Sequence, residues 1–223
     1  MIKIIFENEN IVAADKPGGW LSVPSQWGEE DPRPVLSLEL PKQLGLSLLP
    51  VHRLDLDVTG IILFAKNTHA HQSANRWFEA RSITKIYEAW TEGDAPTDLK
   101  QGQLVEWSST LHRGKKRSFV SPHGKLAVTR AHWMGSVDNS TVGPAQRWLL
   151  EPLTGRPHQL RVELSRHGFP ILGDKLYGAQ KEFLPNIMAL RAVKLDFSEE
   201  PQARALGLPK EIVAPGIESL LNS

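Results

Sequence analysis

Apolar and polar residues follow one another at the amino end in a pattern that predicts two short strands. The apolar run Ile2–Phe6 is separated from a second run, Ile11–Ala14, by the polar stretch Glu7–Asn10, as in a hairpin. The second strand ends at Lys16-Pro17-Gly18-Gly19, because proline fixes its own φ and glycine opens turn geometries. The acidic, proline-containing stretch Trp27–Pro34 predicts a surface loop.

Residues 35–81 contain patterns for two helices and a buried strand. Val35–Leu44 predicts a short helix, interrupted by Pro41 and stopped by Gly45. The continuous apolar run Ile61–Ala65 predicts a strand buried on both faces. An amphipathic helix is predicted from Thr68, its expected N-cap, to Arg81, and its apolar face would carry Ala70, Ala74, Trp77 and Phe78.

Later segments favour strands over helices. Strand patterns occur at Lys85–Trp90, Leu126–Trp133, Arg147–Glu151 and Met188–Phe197. With no internal repeat and no linker, the sequence predicts one mixed α+β domain over residues 1–223.

One further helix is predicted after Gly155-Arg156-Pro157. Pro157 is expected in its first turn, and Gly168 is expected to end it. Leu160 and Leu164 share one face of this helix, while another face carries His158, Arg161 and Ser165.

Composition narrows the class of protein without naming its function. The chain has 223 residues, 40% hydrophobic and 23% charged, which is typical of a globular protein. It contains no cysteine, so disulfides, thiolate nucleophiles and cysteine-ligated zinc are excluded. No run approaches the ~18 consecutive apolar residues of a membrane-spanning helix, and the start lacks the plan of a signal peptide. A cytoplasmic enzyme is the resulting expectation.

The net charge of the chain does not indicate a nucleic-acid partner, but one local cluster of basic residues is compatible with it. There are 26 basic and 25 acidic residues, a net charge of +1. The densest basic cluster is Arg113-Gly114-Lys115-Lys116-Arg117, with Lys125 and Arg130 close behind it. Such a cluster is usually a solvated loop, and it indicates a phosphate-binding surface only together with other evidence.

Candidate chemistry is concentrated in Val51–Gly60, just before the predicted buried strand. This segment contains His52, Arg53, Asp55 and Asp57. The two aspartates could provide a nucleophile, an acid–base pair or a metal-binding pair. Residues i and i+2 share a face in an extended segment but diverge in a turn, so one of the two carboxylates could instead be structural.

The segment His52-Arg53-Leu54-Asp55 with Thr59-Gly60 resembles the signature of the RluA-type RNA pseudouridine synthases. Four further motifs occur in the family's order: Lys16-Pro17-x-Gly19, Lys85-x-Tyr87-x-Ala89, Gly155-Arg156-Pro157-His158-Gln159-Leu160-Arg161-Val162 and Pro170-Ile171-Leu172-Gly173-Asp174-x-Leu176-Tyr177-Gly178. The chain departs from the family pattern at Leu56, Val58-Thr59 and Arg191, none of which removes a group that the chemistry needs.

The resemblance implies an α+β fold in which a mixed, mainly antiparallel sheet is flanked by helices and the active site lies in a central cleft. It also implies three catalytic residues. Asp55 stands at the position of the catalytic nucleophile. Arg161 stands where the family places a cation that keeps this carboxylate ionised. Tyr87 would pack against the target base and assist the proton step at C5.

The resemblance also implies a structured RNA partner, a ribosomal or transfer RNA stem-loop, with a leaning toward dual specificity. Arg53 would enter the RNA stack when the target base is extruded. Further RNA contacts are assigned to His52, Arg156, His158, Lys115, Lys116 and Arg117. We expect no cofactor and no metal, because the reaction is an isomerisation, and we expect a monomer without the amino-terminal S4-like RNA-binding module of many relatives.

Three other functions remain open from the residues alone. A glycoside-processing enzyme would use Asp55 as nucleophile and Asp57 or Asp174 as proton donor. A metal-dependent glycosyl transferase would use Asp55 and Asp57 as ligands. A non-catalytic RNA-binding module would explain the basic cluster but gives no reason for Asp55, Tyr87 and Arg161 to occur together.

Overall fold

The computed structural model describes residues 1–26 and 28–222; Trp27 and Ser223 lie outside the described residues. The strands are β1 (Lys3–Glu7), β2 (Ile11–Lys16), β3 (Leu49–Pro50), β4 (Thr59–Ala65), β5 (Thr84–Thr91), β6 (Leu104–Arg113), β7 (Ser118–Val120), β8 (Lys125–Asn139), β9 (Gly143–Pro152), β10 (Leu190–Asp196) and β11 (Glu211–Val213). The helices are α1 (Leu36–Leu44), α2 (Thr68–Ala80), α3 (Gln159–Arg166), α4 (Pro201–Ala205) and α5 (Glu218–Leu221), with 3-10 turns at Gly28–Glu30 and Lys175–Tyr177.

The strands pair mostly antiparallel, and the helices are few, so the predicted α+β class is confirmed. By its internal contacts the chain divides into two compact units. The first contains Met1–Lys85 and Ala192–Pro215, and the second contains Ile86–Arg191 and residues 216–222. The single catalytic domain over 1–223 stays a prediction. Within the described ranges no helix has both the length and the apolar character needed to cross a membrane.

In the first unit, β2 pairs with β1 on one side and β4 on the other. All seven residues of β4 are buried. Ile61 and Leu63 belong to one apolar cluster with the inner face of α2, whereas Ile62 and Phe64 belong to a second cluster with α1. The prediction of a strand buried on both faces is therefore confirmed.

Gly60, at the start of β4, explains how closely the backbone can approach there. Its φ is +107°, and a Cβ at this position would lie 2.2 Å from the carbonyl oxygen of Ala192 in the neighbouring strand β10. Only glycine fits, because any side chain would collide with backbone atoms and strain its own φ. The residues just before β4 therefore lead directly into a tightly packed strand in the interior of the sheet.

Helices α1 and α2 of the first unit match their predicted positions, with two corrections. Helix α1 ends at Gly45 in the left-handed conformation, as predicted, but it continues through Pro41 without the predicted interruption. For α2 the predicted N-cap, Thr68, is wrong. Asn67 caps the helix instead, because its backbone is extended and its side-chain oxygen accepts a hydrogen bond from Ala70 N at 2.9 Å.

In the second unit the strand order is β5-β9-β8-β6-β7, and the pairs are antiparallel. Strands β8 and β9 extend beyond the predicted Leu126–Trp133 and Arg147–Glu151. Strand β6 was not predicted, because its outward positions are mostly polar and it offers little apolar contrast. The basic cluster forms the turn between β6 and β7.

The start of α3 also departs from the prediction. Pro157 is not in the first turn, because the helix begins at Gln159 and the preceding residue, His158, adopts the left-handed conformation with φ 55°. The buried side chain of Gln159 donates to Val128 O and accepts from Arg156 N, at 2.9 and 3.0 Å. These bonds attach the beginning of α3 to β8.

Candidate active site

Asp55 lies in a turn just before β4, where its carbonyl oxygen accepts a hydrogen bond from Val58 N at 3.2 Å. The residues on both sides of it are fixed. The hydroxyl of Ser22 donates to Leu54 O at 2.8 Å and accepts from Leu54 N at 3.0 Å. On the other side, Lys16 Nζ donates to Leu56 O at 2.8 Å. The backbone that carries the Asp55 carboxylate is thus held at two adjacent points.

Lys16 is a fully buried lysine that joins two loops. Besides Leu56, its Nζ donates to the carbonyl oxygens of Pro17 and Trp20, at 2.9 and 2.7 Å. Three acceptors match the three donors of an ammonium group. Burial lowers the pKa of Lys16 to about 7, while the negative charges of Asp57 and Asp55 act in the opposite direction. The two carboxylates therefore favour the charged lysine that orders their loop.

Asp57 lies among positive charges of the same unit. Its charge contributes to raising the pKa of Arg33, after the larger effect of the hydrogen bond between Arg33 and Asp31. The Arg33 guanidinium reaches Asp31 at 2.7 and 2.5 Å. Asp57 therefore lies near two cations of this unit, Lys16 and Arg33, and a structural role for it stays a prediction.

The neighbours Arg53 and His52 have different surroundings. Arg53 is exposed. The ring of His52 stacks on Phe78 with centroids 4.5 Å apart, and its Nε2 accepts a hydrogen bond from Leu63 N at 3.1 Å. Burial, with a smaller contribution from Lys85, lowers the pKa of His52 to about 3, so the ring is neutral at pH 7. These contacts are structural, and the assignment of His52 to RNA binding stays a prediction.

In the second unit, Arg161 is held by a carboxylate and an aromatic ring. Its Nε and Nη2 donate to the two oxygens of Asp174, at 2.7 and 2.8 Å, and both residues are buried. Its guanidinium carbon also lies 4.9 Å from the centroid of the Tyr177 ring. Both carboxylate oxygens of Asp174 are thus engaged by one guanidinium, which argues against Asp174 as the proton donor of a glycosidase.

Tyr177 connects α3 to the hairpin of β6 and β7. Its hydroxyl oxygen lies 2.8 Å from Ser118 N, 3.1 Å from Ser118 O and 2.9 Å from His158 Nδ1. Its carbonyl oxygen accepts from the hydroxyl of Ser165 at 2.6 Å. His158, Arg161 and Ser165 thus all contact Tyr177, but only Arg161 and Ser165 lie on a face of the helix, because His158 precedes it.

The hydrogen bonds of Tyr177 assign the protons of His158. Burial raises the pKa of Tyr177, so its hydroxyl keeps its single proton, which it donates to Ser118 O. His158 Nδ1–H must then be a donor to this hydroxyl, and Nε2 accepts from Arg113 Nη1 at 3.1 Å. The base of the basic turn is therefore attached to the start of α3 at both Ser118 and Arg113.

Replacing Tyr177 with phenylalanine should loosen this attachment while keeping the ring beside Arg161. The buried Ser118 N–H and the His158 ring would each lose a partner, so we expect unfolding to become easier by ~1–3 kcal/mol. Amide exchange at Ser118 should also become faster. Urea unfolding and hydrogen exchange measure the two effects. In the matched control Ser165→Ala, which removes a bond to the carbonyl of Tyr177 only, Ser118 should keep its protection; unchanged protection in Tyr177→Phe would contradict the assignment.

Tyr87 and the basic residues occupy the positions that their elements dictate. Tyr87 is half-buried in β5, opposite Leu150 of β9. Arg156 Nε donates to Leu126 O at 2.9 Å. The side chains of Lys115, Lys116 and Arg117 are exposed in the turn. Catalytic and RNA-binding roles for all of them stay predictions.

Four residues that order these segments were not among the predicted site residues: Ser22, Lys16, Asp174 and Tyr177. Of these, Asp174 was considered only as the proton donor of the alternative glycosidase. Lys16, Asp174 and Tyr177 stand inside the recognised motifs, so their position in a motif was an available signal. Ser22 had none, because its partner Leu54 is 32 residues away.

Comparison with known proteins agrees with these motifs. The family described as RNA pseudouridylate synthase matches residues 10–166. The dual-specificity RNA pseudouridine synthase RluA of Vibrio cholerae is 34% identical over 202 residues, covering 88% of this chain and 77% of the relative. The tRNA pseudouridine synthase C of Salmonella typhimurium is 30% identical, covering 89% and 80%.

A solved structure also shares the fold. Human RNA pseudouridylate synthase domain containing 1 is 23% identical, with a TM-score of 0.72, and the match covers 100% of this chain and 94% of the human chain. This chain belongs to the RNA pseudouridylate synthase family and, within it, to the RluA-type enzymes. It is accordingly an isomerase that acts on RNA.

Proposed function

We propose that this chain converts selected uridines of ribosomal RNA, transfer RNA or both into pseudouridine, with Asp55 as the nucleophile. The observation that carries the proposal is the fixed backbone around Asp55, held by Ser22 at Leu54 and by Lys16 at Leu56. A nucleophile gains from such rigidity, because the reacting atoms must be kept in a narrow range of geometries.

The reaction balances without a further reactant. The bond between N1 of the base and C1′ of the ribose breaks, the base turns, a bond forms between C5 and C1′, and C5 loses its proton while N1 gains one. We propose Tyr87 and Arg161 as the other catalytic residues, on the strength of their motif positions. Arg161 would favour the ionised form of Asp55, and its bond to Asp174 would keep its own orientation fixed.

The substrate proposal follows from the names of the relatives. Similar proteins are named for dual specificity and for tRNA. We propose a short stem-loop as the recognised element, with the basic turn contacting phosphates through Lys115, Lys116 and Arg117. Arg156 and His158, beside this turn in the same unit, would add contacts. A monomer in the cytoplasm, with no cofactor, remains our expectation.

Tritium release provides the test of activity. RNA labelled with tritium at uridine C5 would be prepared from a strain lacking this gene and incubated with the purified chain. We expect tritium to be released, and carbodiimide mapping to show new pseudouridine at one or a few positions. No release from either ribosomal or transfer RNA of that strain would contradict the proposed function, and released sugar would favour the glycosidase instead.

We also propose that Arg53 fills the RNA stack when the target uridine leaves it. Arg53 is exposed and lies two residues before Asp55. Extruding a stacked base costs a few kcal/mol, and a guanidinium stacked in the vacancy would recover part of this cost. Arg53→Ala should therefore slow modification of a folded stem-loop by about tenfold more than modification of an unstructured oligonucleotide with the same target sequence.

The comparison of the two RNAs separates this role from a structural one. If Arg53 only orders the loop around Asp55, its removal should damage both substrates alike. Arg53→Lys keeps the charge but stacks poorly, so it should retain the defect on the stem-loop. Equal fractional losses on the two RNAs, or full rescue by lysine, would rule out base replacement by Arg53.

A further inference from the structure

The tip of the β6–β7 hairpin carries an exposed aromatic ring that the reaction does not require. Phe119 in β7 lies directly opposite His112 in β6, and 45% of its surface is exposed. The two ring centroids are 5.4 Å apart, with an interplanar angle of 49°. Because paired residues of neighbouring strands share a face, the two rings form one small aromatic surface.

The backbone beneath this aromatic surface is firmly held. Ser118, next to Phe119, is buried and hydrogen-bonded to the hydroxyl of Tyr177. On the turn side, the Phe119 ring lies against Gly114, where an added Cβ would come within 3.2 Å of the ring. The ring is thus supported from one side and open to solvent on another, so a flat ligand would find it already in place.

The charges around the ring indicate which ligand it suits. Lys115, Lys116 and Arg117 immediately precede Ser118, and Lys125 follows at the start of β8. An aromatic face beside a group of exposed cations is typical of surfaces that bind single-stranded nucleic acid, where bases stack and phosphates pair with the cations. A protein partner would need acidic side chains in the same arrangement, and a flat apolar ring offers these no contact.

We propose that Phe119, supported by His112, is a stacking platform for an unpaired base of the RNA substrate. This inference rests on the proposed function, because it takes RNA as the ligand. It adds a contact outside the catalytic residues, at an unpaired nucleotide whose phosphate the basic turn neutralises. The enzyme would thereby favour targets that lie in a loop over targets within a continuous duplex.

Binding measurements with two RNAs test the platform. Fluorescence anisotropy would give the dissociation constants of an unstructured oligonucleotide and of a fully paired duplex with the same sequence. We expect Phe119→Leu to weaken binding of the single strand by about fivefold or more, the lower end of what one stacked base contributes, and binding of the duplex by less than about twofold. Phe119→Trp should retain tight binding, because its larger ring also stacks.

A control variant and three outcomes that would contradict the platform complete the test. Leu104 is also an exposed apolar residue of β6, at the other end of the strand, and Leu104→Ser should leave both dissociation constants unchanged. Equal losses on both RNAs, or failure of tryptophan to restore binding, would overturn the platform. A change in sedimentation with unchanged RNA affinity would also overturn it and indicate self-association. Because no turnover is measured, tritium release still tests the chemistry separately.

Discussion

Asp55→Asn is expected to abolish pseudouridine formation, lowering the rate by more than about 10⁴-fold. The amide has nearly the same shape as the carboxylate, but it cannot form the covalent intermediate that a nucleophile must form. The hydrogen bonds that hold the loop at Leu54 and Leu56 involve main-chain atoms, so the substitution should leave them intact. RNA affinity should therefore change little. Tritium release from RNA labelled at uridine C5 measures the rate, and anisotropy measures binding.

Asp57→Asn is the matched control for this experiment. It removes the same charge from the same turn. Against the larger lowering effect of burial, the charge of Asp57 raises the pKa of Lys16, and it contributes to raising that of Arg33, so its loss should lower both. We expect a reduction of about tenfold or less, because the proposed reaction gives this carboxylate no bond-forming step. Activity of Asp55→Asn within tenfold of wild type, or a larger loss in the control, would assign the nucleophile to another residue.

Arg161→Met is expected to lower turnover by about 10²-fold or more while leaving RNA affinity within a few-fold of wild type. The proposed task of this guanidinium is electrostatic support of an ionised carboxylate rather than contact with phosphate. The substitution also leaves Asp174 buried without a bidentate partner, which can cost ~3–5 kcal/mol of folding stability. Urea unfolding must accompany the kinetics. Arg161→Lys keeps the positive charge but cannot make the bidentate bond to Asp174. It should therefore be more stable than Arg161→Met and still turn over slowly.

The double variant Lys115→Ala, Lys116→Ala should show the opposite result, a loss of RNA affinity with turnover retained. Both side chains are exposed in the basic turn, so folding and turnover of bound RNA should be nearly unchanged. The affinity should fall, and the slope of log affinity against log salt should flatten by up to about 1.5, since each lost phosphate contact removes ~0.7. If this variant and Arg161→Met affect binding and turnover in the same proportion, the separation between catalytic and docking residues is wrong.

Much of the secondary structure could be predicted because it depends on neighbours in sequence. The alternating runs gave β1 and β2 within a residue or two, and the continuous apolar run of β4 is buried on both faces, as predicted. The apolar residues of α2 follow helical spacing, and so do Arg161 and Ser165 of α3. Apart from the missed strand β6 and the helix that continues through Pro41, the errors lie at the ends of elements, as at Asn67 and His158, where a cap or a positive φ depends on one side chain or turn.

The family and the positions of Asp55, Tyr87 and Arg161 within it came from the sequence by itself, because five ordered motifs record chemistry in the chain directly. The tertiary structure alone decided what holds these residues. Ser22 reaches Leu54 across 32 positions, Lys16 reaches Leu56 across 40, and Tyr177 reaches Ser118 across 59. Such pairs leave no periodic signal, because a hydrogen bond between distant residues depends on the packing of every element between them, which local propensity does not encode.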